Sequence, residues 1–254
     1  MRTIAIVSTT GGAGRSTVTA ALASLLTGRG HAVLALECDP RNVLGFHFGM
    51  RLPARDGLSG HLGTSPSGAW AEAGQRSDDG VLFVPWGEPR QDDPTRALLH
   101  AGPEWLRGLL AQVDLPARGV ALIDTAPWPS AHASQAITAA DLVLALMPAQ
   151  PEVCLTLRRL GDALATLGRP CIYVATRLQP ARQLHADIVT MLHATLGQAL
   201  LPYHVHEDSG VAEAFAQGQS FCRSTPHSQA AHDLNGLASW LSAWIDANPQ
   251  GAQP

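Results

Sequence analysis

Short apolar runs alternate with helical segments along the whole chain, and that alternation constrains the fold more than any other feature. The runs lie at residues 3–7, 32–37, 81–84, 120–123, 142–147 and 171–176, with a weaker one at 199–203. They are apolar at successive positions and bounded by Gly, Pro or Asp, as strands must be when helices cover both of their faces. Segments 16–28, 95–112, 130–139, 151–167, 180–196 and 228–247 carry helical patterns between and after them. The order predicts an α/β fold, a doubly wound, mostly parallel sheet with helices on both faces. Residues 51–79, rich in Gly, Ser, Pro and Ala, read as a surface excursion with one short helix near 68–73.

A chain of 254 residues, 46% of them hydrophobic, is long enough for one large core and short for two. One domain over 1–247 is expected, followed by a flexible tail at 248–254. The opening residues, Met1 to Val7, read as a buried strand and not as the apolar centre of a secretion signal, so a cytoplasmic protein is expected. Cys38, Cys154, Cys171 and Cys222 form no C-x-x-C pair, which argues against a disulfide framework, structural zinc or an iron–sulfur site. The net charge of −4 provides no field to attract nucleic acid or an anionic membrane surface. All 17 basic residues are Arg, so any chemistry usually done by Lys must be done differently.

The first strand leads into Ser8-Thr9-Thr10-Gly11-Gly12-Ala13-Gly14-Arg15-Ser16-Thr17 and then an Ala/Leu-rich helix. Three glycines and an alanine let the backbone curl until successive N–H groups point inward at phosphate oxygens. The helix that opens at Ser16 adds its positive end and its unpaired donors. A hydroxyl at Ser16 is placed to ligate Mg²⁺ between two phosphates. The common pattern is G-x-x-x-x-G-K-[ST]; here Thr9 stands for the first Gly and Arg15 for the Lys. Arg is a longer, planar cation than Lys, so phosphate binding is expected to survive better than rapid hydrolysis.

Two acidic stations follow at strand ends, Glu37-Cys38-Asp39-Pro40 and Asp124-Thr125-Ala126-Pro127. In a doubly wound sheet such carboxylates converge on the crevice that holds the phosphates. One can hold a magnesium-bound water and another can orient the attacking water.

With the cradle and both stations in this order, the sequence resembles the ParA/MinD-type deviant Walker A P-loop ATPases, whose cradle reads K-G-G-x-G-K-[ST]-T. The resemblance implies ATP or ADP with Mg²⁺ as ligands and an ATP-dependent homodimer. It implies that Gly11, Gly12, Ala13, Gly14 and Thr17 contact phosphate, and that Ser16, Asp39 and Asp124 form the magnesium site, partly through water. It also implies catalytic roles for Asp39, Asp124 and Arg15. Thr10 stands where the family has its signature Lys, and Glu37 replaces the first Asp of a D-x-D pair. Tyr173-Val174-Ala175-Thr176-Arg177 resembles the strand that ends beside the base. The passage Leu200-Leu201-Pro202-Tyr203-His204-Val205-His206-Glu207-Asp208 resembles the adenine loop, which implies nucleotide contacts for Arg177, Pro202, Tyr203 and His204. Within this group the chain is most similar to BcsQ, the accessory ATPase of cellulose synthase operons. That likeness implies small accessory proteins and cytoplasmic parts of a cellulose synthase complex as partners, with recruitment to the inner membrane through them.

Partner choice separates the remaining readings. A partitioning ParA binds DNA through basic surface residues, and this chain has no basic cluster beyond Arg158-Arg159. A MinD-like membrane helix is basic on its polar face. The last helix here has Leu234, Leu237, Trp240, Leu241, Trp244 and Ile245 on one face with no basic residues opposite, which predicts packing and not membrane insertion. His204, His206, His227 and His232 lack a ligand set and read as loop or base-stacking residues. A slow ATPase switch, an ATP-binding scaffold with little hydrolysis, and a ParA/MinD-like positioning ATPase remain open.

Overall fold

The computed structural model describes residues 1–62, 68–89, 94–116 and 118–248. The strands are β1 (Arg2–Val7), β2 (Val33–Cys38), β3 (Gln75–Arg76), β4 (Leu82–Val84), β5 (Val120–Thr125), β6 (Leu142–Pro148), β7 (Cys171–Leu178) and β8 (Val205–His206). They form one sheet in the order β3-β4-β2-β5-β1-β6-β7-β8. Every pairing is parallel except β3 with β4. The helices are α1 (Arg15–Gly28), α2 (Pro94–His100), α3 (Trp105–Leu110), α4 (Ala131–Ala139), α5 (Pro151–Thr166), α6 (Gln183–Leu196), α7 (Gly210–Gln217), α8 (Phe221–Ser224) and α9 (Gln229–Ala247).

β1 shows why the runs are apolar throughout. Side chains alternate across a strand, so Ile4 and Ile6 join the core under α1 and α9 while Ala5 and Val7 join the core under α3 to α6. Each fully buried Leu or Ile stabilises the fold by about 1.5–3 kcal/mol. The α9 residues Leu234, Leu237, Leu241 and Ile245 are all buried, with Trp240 and Trp244 packed beside them. The apolar face of that helix is therefore covered by the domain itself, as expected. Ser130 and Ser228 accept from Ala133 N and Ala231 N and cap α4 and α9, each cap contributing about 1 kcal/mol. No helix among the described residues is long and apolar enough to cross a membrane.

Three expectations change. The helix expected at 95–112 is two helices, α2 and α3, because Gly102 adopts φ +83° and Pro103 follows it. The weak strand at 199–203 is reduced to a bridge between Leu200 and Tyr173. Pro202 lacks an N–H for a ladder, and pairing with β7 resumes only at β8. β3 has two exposed residues and no alternation to betray it. The short helix near 68–73 is a 3₁₀ helix, Gly68–Ala73. Of the tail expected at 248–254, only Asn248 lies within the described residues, where it hydrogen-bonds Trp244 and Arg2.

The connection that matters for the site leaves β1. β1 lies between β5 and β6, and the chain runs from it to strands on one side of the sheet and later to strands on the other. The crevice of such a sheet opens at the carboxyl ends of the strands at this switch point, where residues 8–14 lie.

Candidate functional site

Residues 8–14 are held from behind by their carbonyl groups. Arg15 Nη1 donates to Thr10 O at 2.7 Å, Arg177 Nη1 to Gly12 O at 3.1 Å, and the Thr176 hydroxyl to Ala13 O at 3.1 Å. The Thr9 and Thr156 hydroxyls share a hydrogen bond of 2.7 Å that ties the loop to α5. Gly12 and Gly14 have φ of +68° and +91°, values that side-chain-bearing residues rarely adopt. Gly14 caps α1 in the left-handed conformation, and no side chain caps the helix. The first-turn N–H groups thus remain available for an anion.

This loop forms one wall of a cavity of about 810 Å³, lined by Gly12 to Val18, Arg41, Thr176, Arg177 and the segment from Val205 to Ser209. That volume lies in the range of small-molecule sites. Val211, Ala212, Phe215 and Leu234 supply apolar surface at the far end. Phe215 lies against His47 with ring centroids 4.8 Å apart, and burial lowers His47 to about 4.

Both acidic stations lie at the crevice. Asp124 is fully buried, and neither of its oxygens completes a hydrogen bond. Burial raises its carboxyl to about 7, while the nearby Ser16 hydroxyl and the Arg15 and Arg41 guanidinium groups favour the charged form. A buried carboxylate without partners is costly. Hard oxygen donors from Asp124 and Ser16 would suit a magnesium ion, with water and phosphate needed to complete its shell. Among the described residues no cluster of three or more His, Cys, Asp or Glu offers a protein-only metal site. Asp39, also buried, is bound by Arg41 through Nε at 3.0 Å and Nη2 at 2.7 Å, and by the Arg41 backbone N–H at 3.0 Å.

Glu37 binds backbone. Its carboxylate accepts from the N–H groups of Val43, Leu44 and Trp86, and so anchors the 3₁₀ turn Leu44–Phe48 to β2. Burial and the Asp124 charge raise it to about 8.

Arg15 lines the cavity with its guanidinium already engaged, and several other implied residues do not line it. Arg15 is 3% exposed, and its Nε donates to Thr125 O at 2.7 Å, so its guanidinium braces the loop against β5. Thr10 and Gly11 do not line the cavity, and the buried Thr10 hydroxyl has no hydrogen-bond partner. Pro202, Tyr203 and His204 also lie outside it. The Tyr203 ring packs over Gly236 on α9, and the His204 ring meets His193 of α6 at 5.9 Å. The passage reaches the cavity only from Val205 onward, because Leu200 and Leu201 are buried along β7 and carry Pro202, Tyr203 and His204 past it. His206 is bonded to Asp233 through Nδ1 at 2.7 Å. Arg41, His47, Gln179 and Phe215 line the cavity and were not singled out in the sequence. Only Arg41 carried a signal, its place two residues after Asp39.

Arg177 reaches the loop through a backbone irregularity. The β7–β8 register shifts between Thr176 and Leu178, and Arg177 takes φ +56°, which turns the side chain toward Gly12. Glu207 receives its Nη2 at 2.6 Å, and this contact lowers the Glu207 carboxyl below its ordinary value.

The same architecture occurs in solved structures. An ATP complex of a McdA variant from Cyanothece superposes with a TM-score of 0.78 at 19% identity, covering 100% of this chain and 99% of that one. The cell division ATPase MinD of Pyrococcus furiosus gives 0.75 at 22% identity, covering 96% and 99%. MinD of Pyrococcus horikoshii complexed with Mg-ADP gives 0.76 at 19% identity, covering 98% and 99%. At these identities the likeness establishes the MinD/ParA-type P-loop fold. No curated protein matches the sequence. The family described as cellulose biosynthesis protein BcsQ matches residues 1–241, so the chain belongs to the BcsQ family.

Proposed function

We propose that the protein is an ATP-binding switch with slow ATPase activity that dimerises on nucleotide and helps assemble or localise a cellulose synthesis complex. One observation carries the nucleotide reading. The uncapped start of α1 and Ser16 line the cavity, and the buried Asp124 carboxylate lies just behind Ser16, outside the lining, with no completed hydrogen bond. An anion and a divalent cation together would satisfy both. Mg-ADP in the Pyrococcus horikoshii relative and ATP in the McdA relative support that pairing, and the BcsQ match supports the pathway.

In this reading Gly12, Ala13 and Gly14 and the first turn of α1 bind phosphate through backbone N–H groups. Ser16 and Asp124 hold magnesium, which would neutralise phosphate charge. Asp39 orients a water and takes its proton as the water oxygen bonds the terminal phosphorus. The bond from that phosphorus to the bridging oxygen breaks, and ADP leaves with the electron pair. Gln179, Glu207 and Asp208 flank the space for the base, and Phe215 and Val211 supply its apolar contact. Dimerisation, recruitment to the inner membrane and binding of small accessory proteins follow from the family reading. The protein is taken to act in the cytoplasm.

A scaffold that binds ATP and hardly turns over is the second reading. It is favoured by the engagement of Arg15 with two backbone carbonyls and of Asp39 with Arg41. Phosphate release by purified protein beside Asp39→Ala separates the two: a rate lost in the variant supports the ATPase, and equal rates leave the scaffold. If calorimetry detected neither ATP nor ADP, the nucleotide reading would fall.

A further inference from the structure

Three guanidinium groups surround the cradle of this lysine-free chain, and they are not equally free to serve a ligand. Arg15 is buried and holds Thr10 O and Thr125 O. Arg177 joins Gly12 O to Glu207. Moving either would loosen the loop that forms the site. Arg41 differs, because its side chain is 52% exposed, lines the cavity, and among the described residues is hydrogen-bonded to Asp39 alone. Its partner is 1% exposed, with both carboxylate oxygens occupied by Arg41 side-chain and backbone donors.

We infer that Arg41 is the terminal-phosphate sensor of this site, exchanging Asp39 for the γ-phosphate and thereby releasing the carboxylate that orients water. The inference rests on the nucleotide reading above and deepens it. Asp39 must face the terminal phosphate to orient its attacker, so a guanidinium bonded to Asp39 lies one side-chain rotation from that phosphate. The guanidinium end of the pair is half-exposed and can swing into the cavity. The Arg41 backbone N–H keeps its bond to the buried Asp39 Oδ1 and limits the cost of the exchange. A terminal phosphate carries more charge than one carboxylate and matches the same planar fork. ADP offers no such competitor, so with ADP bound Arg41 stays on Asp39. One side chain thus couples the presence of the third phosphate to the freedom of Asp39.

Calorimetry with Mg-ADP and with a Mg-bound non-hydrolysable ATP analogue tests this on the full chain. Arg41→Gln is expected to weaken the analogue about tenfold or more while ADP stays within about threefold. Arg41→Lys, which keeps the charge without the fork, is expected to restore part of the difference. An equal change for both nucleotides, or none for the analogue, would overturn the sensor. Both variants replace a half-exposed side chain, and their folding is checked by thermal melting. If the wild-type chain bound neither nucleotide, the nucleotide reading would fail first and the sensor with it. Binding of both nucleotides without discrimination by Arg41 would sink the sensor alone.

Discussion

Arg15 Nε donates to the carbonyl oxygen of Thr125 at 2.7 Å, joining the phosphate cradle to the end of β5 across 110 residues of sequence. A second bond, from Nη1 to Thr10 O at 2.7 Å, makes the side chain a strut between two walls of the crevice. Burial lowers its pKa, with the Asp124 and Asp39 charges opposing the shift.

Replacing this strut should separate stability from chemistry. Arg15→Ala leaves two buried carbonyls short of a charged donor and is expected to cost about 2–3 kcal/mol in denaturant unfolding. Arg15→Lys, a compact charge unable to span both carbonyls, is expected to lower the melting temperature and to raise the rate of phosphate release. A lysine variant that melts lower and releases phosphate no faster would count against strut geometry as the brake on hydrolysis.

Asp124 is a buried carboxylate with no completed hydrogen bond, and burial raises it to about 7 despite the nearby Ser16, Arg15 and Arg41. Asp124→Asn is expected to stabilise the nucleotide-free protein by about 1–3 kcal/mol, since it removes a buried charge without partners. The same variant should lose the added stability that Mg-nucleotide gives the wild type. Melting curves with and without Mg-ADP check both halves, and a variant less stable than wild type without ligand refutes the first.

Gly14 has φ +91° with open space where a Cβ would stand. Gly14→Ala therefore meets no clash, and its cost is backbone strain of about 1–2 kcal/mol. Because the methyl would crowd a phosphate at the start of α1, nucleotide affinity should fall far more than stability. Calorimetry beside denaturant unfolding measures the two losses, and unchanged affinity would exclude this wall as the phosphate site.

His47 makes stability depend on pH. Burial lowers its folded value from 6.5 to about 4. Between those values the unfolded chain binds the proton and the folded chain does not, so stability falls as the pH drops from about 6.5 towards about 4. Its contribution over that range is roughly 3 kcal/mol. His47→Asn should flatten the slope of unfolding free energy between pH 4 and 7, whereas an identical slope would remove His47 as its source.

The layers, the mostly parallel sheet and the position of the Gly-rich loop are legible in the sequence. Those signals are local: short runs apolar at every position and helical patterning read out within a segment, and the Gly-rich turn after β1 follows from backbone sterics. Ser130 and Ser228 marked their helix starts for the same reason. Where the charged side chains point depends on contacts between distant segments. Arg15 lines the cavity, but its guanidinium is held by a carbonyl 110 positions later. Pro202, Tyr203 and His204 leave the cavity because buried Leu200 and Leu201 follow β7. Asp39 is occupied because Arg41 folds back on it, a contact short in sequence but set by the burial of Asp39 at the end of β2. Backbone preference acts between neighbours, whereas the partner of a long side chain is chosen by whatever group the fold brings to its tip.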